Sequence, residues 1–125
     1  MAVIRINDLK VRALIGAYSW ERVNKQELIL NITIEYDASR ACRTDKLKDA
    51  LNYETVAARA VKTARGSRHV LLEKLASRLL AGIMSDKRVD AAWVRVDKTH
   101  ALPDARCVSF ELSAACPRTR GGAKR

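Results

Sequence analysis

Glu21, Tyr53, Glu73 and Lys98 are the residues of this chain whose types and positions invite chemistry. Each stands at the end of an expected element. Glu21 follows the first strand, Tyr53 lies in ALNYETV where a helix begins, Glu73 lies in LLEKLA near the start of the next helix, and Lys98 closes a strand in VDKTHAL. Carboxylates, a phenol and an amine are groups that can exchange protons with a bound molecule. Each position also has an ordinary structural explanation. Glu21 can be solvated turn charge, Tyr53 a boundary aromatic, Glu73 a carboxylate favoured by a helix dipole, and Lys98 an edge-strand lysine that discourages aggregation.

The more specific signatures are absent from the sequence. It has no GxSxG, Walker A, GxGxxG or HExxH, and its two histidines, His69 and His100, lie far apart and lack metal-ligand spacing. Cys42, Cys107 and Cys116 are too scattered for a metal knuckle, and their odd number fits a reducing compartment in which they stay free and mostly buried. Neither a metal nor a cofactor is expected.

Four strands and two helices must position these groups. ELILNITIEY alternates, with Leu28, Leu30, Ile32, Ile34 and Tyr36 on one face and Asn31, Thr33 and Glu35 on the other. In VIRINDLKVRALI, Ile4 and Ile6 share one parity while Leu9, Val11 and Ile15 take the opposite one, which predicts a strand bulged near Asn7 and Asp8. From Tyr53 the period becomes helical through Val56, Ala57, Ala60, Val61 and Ala64, with Asn52 as N-cap and Gly66 as the stop. A second helix follows at once, its apolar face formed by Leu71, Leu72, Leu75, Leu79, Leu80, Ile83 and Met84. AAWVRVDK and CVSFELSA close the chain as strands.

The order ββααββ predicts an α+β subunit: a four-stranded antiparallel sheet with two helices on one face. Its long sheet edges call for protection, and closure of several copies into a ring-shaped barrel would supply it. At 125 residues the chain suits one domain, placed at 1–115 and followed by a basic, disordered tail at 116–125 containing PRTRGGAKR. No apolar run approaches the roughly 20 residues of a membrane span. The start, MAVIRINDLK, lacks the apolar core of a signal peptide, so the expected location is cytoplasmic. A net charge of +10 favours phosphate-bearing partners, whether nucleic acid or a small phosphorylated ligand.

IGAYSWE, ALNYETV, LLEKLA and VDKTHAL, in that order and at those separations, resemble the dihydroneopterin aldolase and epimerase family over about Val3 to Ser113. The resemblance implies a ββααββ subunit assembled around a tunnel as a homo-oligomer, tetramer or octamer, with active sites at subunit interfaces. It implies a reduced pterin substrate with a trihydroxypropyl side chain, cleaved between C1′ and C2′ in a retro-aldol step. The ring's own C=N5 imine takes up the electrons, so neither a lysine adduct nor a metal is required. By the same resemblance Glu73 binds the pterin's amino group and ring N–H, with the backbone at Leu72 in contact. Lys98 is the general acid/base, Glu21 contacts the side-chain hydroxyls, and Tyr53 is a proton-transfer residue reaching the pterin of an adjacent subunit.

Two activities share that scaffold. Release of glycolaldehyde gives an aldolase making 6-hydroxymethyl-7,8-dihydropterin for folate biosynthesis, whereas re-addition of the aldehyde through its other face gives a 2′-epimerase. GAYSWE looks like the aldolase branch; NITIEY, DALNYETV, LLEKLA and DKTHAL look closer to the dihydroneopterin triphosphate epimerase. Thr99 and His100 follow Lys98 where the aldolase usually has proline. The reading adopted is the aldolase, with the triphosphate epimerase as its alternative. A basic nucleic-acid-binding module is the rival from another class, and one Phe, two Trp and three Tyr give it little to stack on bases.

Overall fold

The computed structural model describes residues 1–117. The basic stretch from Arg118 onward, the bulk of the expected tail, lies outside the described residues. The chain runs β1 (Ala2–Ala13), β2 (Gln26–Tyr36), a short helix α1 (Ser39–Thr44), α2 (Tyr53–Arg65), α3 (Leu72–Met84), β3 (Val89–Lys98) and β4 (Val108–Ala115). Single 3-10 turns occupy Ser19–Arg22 and Leu47–Asp49. All strand pairs are antiparallel and the sheet order is β1-β2-β3-β4, so β1 and β4 are its edges.

The expected bulge is present. The β1–β2 register shifts between Ile6 and Leu9, and Asp8 takes a φ of 57° while its N–H donates to Asn31 Oδ1 at 3.0 Å. One inserted residue lets Ile4 and Ile6 join Leu9, Val11 and Ala13 on the core face despite their opposite parities. That face packs against α2 and α3 through Leu28, Leu30, Ile32, Ile34, Val94, Val96, Leu75, Leu79 and Ala60. Among the described residues no helix covers the other face of the sheet. That other face presents Lys10, Glu27, Trp93 and Arg95, with Asp97 buried there beneath Arg95 (3.1 Å) and Ser109 (2.6 Å).

Asn52 caps α2 by accepting the Glu54 N–H at 3.0 Å, and Gly66 is its C-cap, both as expected. Three expectations need correction. Leu71 is the exposed N-cap of α3 instead of part of its apolar face, because the preceding loop runs through His69 before the helix begins. The cysteines are free but not mostly buried: Cys42 sits on α1, which buries none of its residues, Cys116 lies beyond the last strand, and Cys107 is half-buried ahead of β4. The segment 39–44 folds as a helix without the apolar periodicity that would have announced it. Among the described residues no helix is long and apolar enough to cross a membrane.

Candidate active site

Beyond Ala13 the chain turns at Gly16, whose φ of 125° suits glycine and few other residues. A Cβ at this position would also fall onto the Glu21 carboxyl group, so the missing side chain makes room for the carboxylate. The 3-10 turn at Ser19–Arg22 then directs Glu21 back into the protein, where it is only 4% exposed. Its Oε1 accepts the Tyr18 N–H at 3.1 Å. Its Oε2 accepts Gln26 Nε2 at 3.2 Å and Lys98 Nζ at 2.6 Å.

Lys98 ends β3 on the core face, opposite Leu28 and Val108, and its side chain is 14% exposed. Two residues 77 positions apart in sequence thus form one short, largely enclosed ion pair. Burial opposes ionisation of Glu21, but the bonds from Lys98, the Tyr18 N–H and Gln26 together outweigh it and hold the carboxyl below its ordinary range. Glu21 is therefore not solvated turn charge. Gln26 is fixed in turn by donation to the Ile15 carbonyl at 2.7 Å, while its buried Oε1 has no hydrogen-bond partner among the described residues.

Arg22 ties this connector to the loop before α3. Its guanidinium donates to the carbonyls of Gly16 (2.9 Å), His69 (3.3 Å) and Arg68 (2.5 Å), and the Gly16 N–H donates to the His69 carbonyl at 3.2 Å. Burial first, then the charges of Arg78, Lys74 and Arg22, depress the His69 pKa. The clamp fixes where α3 begins. Leu72 opens that helix half-buried, and Glu73, the next residue, points an exposed carboxylate from its first turn.

Of the expected site residues, Glu21 and Lys98 are thus in direct contact, and Glu73 with Leu72 stands on a helix start tethered to their connector. Tyr53 makes no hydrogen bond to them among the described residues; it opens α2 and is 58% exposed. Gly16, Arg22 and Gln26 escaped the sequence reading. The glycine in IGAYSWE was a visible signal; a guanidinium spent on three carbonyls has none. A cavity of about 270 Å³ between α2 and α3, lined by Asn52, Arg59, Ile83 and Arg88 among others, contains none of the expected site residues.

The family model described as dihydroneopterin aldolase matches residues 4–113. The chain belongs to the dihydroneopterin aldolase family. It is 38% identical over 113 residues to a dihydroneopterin triphosphate 2′-epimerase of Pseudomonas aeruginosa, covering 90% of this chain and 92% of that one. It is 30% identical over 96 residues to the dihydroneopterin aldolase of Escherichia coli, covering 77% of each. Among solved structures, E. coli dihydroneopterin aldolase in complex with neopterin superposes with a TM-score of 0.88 at 25% identity, covering 92% of this chain and all of that one. The ion pair lies within the region matched by the family model.

Proposed function

We propose that this chain is a pterin enzyme that cleaves the C1′–C2′ bond of 7,8-dihydroneopterin or its phosphate ester by a metal-independent retro-aldol reaction, giving 6-hydroxymethyl-7,8-dihydropterin and a glycolaldehyde. The observation that carries the reading is the enclosed Lys98–Glu21 pair at 2.6 Å, an amine donor and a carboxylate acceptor sharing one hydrogen bond in a family of pterin enzymes. Glu73 supplies the anchor. An ionised carboxylate presents acceptors only, which matches the paired N–H donors on the pyrimidine edge of a pterin.

In the reaction the C2′ hydroxyl loses its proton to the Lys98–Glu21 pair and becomes the aldehyde carbonyl as the C1′–C2′ bond breaks. The released electron pair forms C1′=C6 and displaces the C6=N5 pair onto N5, which takes up a proton. Protonation at C1′ with loss of the N5 proton then gives the hydroxymethyl product. Tyr53 delivers that proton from a neighbouring subunit, a role supported by its exposure and by the lack, among the described residues, of a hydrogen bond from it to the ion pair. The sheet face that no described helix covers and the two edge strands, β1 and β4, support assembly into a ring. The unpaired cysteines suit a cytoplasmic setting.

The 2′-epimerase is the second reading, and the identity figures favour it: 38% over 90% of the chain against 30% over 77% for the aldolase. The two outcomes share the same first step and differ in whether the aldehyde leaves or re-adds. Incubation with dihydroneopterin and with its triphosphate, followed by separation of the products, tests both. Free glycolaldehyde or its phosphate ester marks the aldolase, a diastereomer with an intact carbon chain marks the epimerase, and no change in either substrate overturns the proposal.

A further inference from the structure

Besides the ion pair there is a cavity of about 360 Å³ lined by Arg12, Trp20, Lys25, Gln26, Glu27 and His100. Gln26 is shared by the two: it lines the cavity and donates to the same Glu21 oxygen that accepts from Lys98. The sequence brings the basic groups there by three routes. Arg12 is at the end of β1, Lys25 immediately precedes β2, and His100 follows Lys98 by two residues.

The cavity is built from the framework. Arg12 Nη2 donates to the Lys25 carbonyl at 3.1 Å, which holds the ends of β1 and β2 together. Thr99 Oγ1 donates to the Glu27 carbonyl at 3.3 Å, which pins the segment carrying His100 against β2. Glu27 is the one carboxylate in the lining, and among the described residues no carboxylate stands within 4 Å of the Arg12 or Lys25 side-chain nitrogens. Two cations that form no ion pair among the described residues, an imidazole and the Glu27 carboxylate therefore border a space that shares Gln26 with the surroundings of the reacting pair.

Resting on the pterin reading above, we propose that this cavity is the subsite for an oligophosphate carried on the substrate's C3′ oxygen, with Arg12 and Lys25 as its principal ligands and His100 as an N–H donor. The reacting C2′ must lie against Lys98 and Glu21, so the atoms beyond it leave the pair at its border, where Gln26 opens onto the cavity. A guanidinium binds phosphate oxygens in pairs and an ammonium acts as a mobile point charge, so the two together suit a flexible polyanion. The cavity thus selects phosphorylated over unphosphorylated substrate, while the same ion pair serves both.

The test is the ratio of kcat/KM for dihydroneopterin triphosphate to that for dihydroneopterin. In the wild-type enzyme the ratio should exceed about 10, and Arg12→Ala or Lys25→Gln should each lower it by about 10-fold, the usual worth of a charge-assisted phosphate contact. Arg43→Ala, a charge removed from the exposed surface of α1, should leave the ratio as it was. Inorganic triphosphate should inhibit the triphosphate reaction competitively, and raising salt from about 0.05 to 0.5 M should shrink the preference. Lys25 is exposed and precedes its strand, so its variant folds even if the Arg12 variant does not. A wild-type ratio near one, or a ratio that survives both substitutions, overturns the subsite and leaves the pterin reading standing. Failure to turn over either substrate overturns both.

Discussion

The connector between β1 and β2 and the starts of the two long helices hold the two halves of the candidate site, and they are built in opposite ways. In the connector, Glu21 is buried and held by three donors, Gln26 is locked to Ile15, and Arg22 staples three carbonyls. At the helix starts, Glu73 and Tyr53 stand exposed, and no hydrogen bond within the described chain fixes either side chain. A group that must move protons at a defined atom gains from being immobilised before the substrate arrives. A group that grips a ligand edge, or reaches into a neighbour's site, must stay free until that partner is present.

The first way to break this contrast is to remove the immobilised amine. Lys98→Ala should lower kcat/KM for dihydroneopterin by roughly 10²- to 10⁴-fold, the usual contribution of a positioned acid/base. Steady-state kinetics on a variant shown to be folded by circular dichroism measures it. A loss below tenfold would mean that Lys98 only balances the charge of Glu21.

The free anchor should fail differently. Glu73→Gln turns one acceptor into a donor facing the pterin's own donors, and a charge-assisted bond lost with a group left unpaired is worth roughly 1.5–4 kcal/mol, or ten- to a thousandfold in Kd. Because Glu73 is exposed, the melting temperature should hold. Unchanged affinity in a pterin titration would reduce Glu73 to a helix-dipole residue.

The same contrast explains what the sequence disclosed. Strands, helices, the Asn7–Asp8 bulge and the Asn52 cap were legible because they follow from local periodicity and local hydrogen bonding. The four site residues were legible only through short stretches in register with a family. From residue type alone Glu21 read as solvated charge, since its burial depends on Lys98, 77 residues away, and on the space left by Gly16. Arg22 was invisible because its partners are backbone carbonyls, which every sequence has. Helix α1 was missed for want of an apolar face, and Leu71 was misplaced because a leucine at a helix boundary satisfies the same period as one inside it.

Glu21 offers a pH-dependent version of the comparison. Its folded-state pKa lies below the ordinary value of 4.5, so it contributes stability that is present above that pH and is lost as pH falls through the depressed folded value. Glu21→Gln removes this contribution at neutral pH, at a cost of about 1.5–3 kcal/mol for a buried charge-assisted bond. The gap in unfolding free energy between wild type and variant should narrow as the pH drops below 4.5. Urea denaturation across that range reads it, and a gap that stays constant with pH would separate the Glu21 effect from its charge.

The smallest expected effect bears on where the mobile half of the site comes from. On the roles and assembly proposed above, Glu73→Ala and Tyr53→Phe proteins should each be inactive, the first for want of the anchor and the second for want of the proton donor. If each site combines Glu73 of one chain with Tyr53 of the next, joint unfolding and refolding of equal amounts lets every site draw each residue intact with a chance of about one half. About a quarter of the sites then regain both residues, so activity should return to about a quarter of wild type. Were both residues supplied by one chain, each site would keep one lesion and mixing would restore nothing. The exposed Tyr53, which makes no hydrogen bond to the ion pair among the described residues, favours the first outcome. A mixed oligomer of verified mass that stays inactive would instead confine the whole site to a single subunit and leave Tyr53 a boundary aromatic.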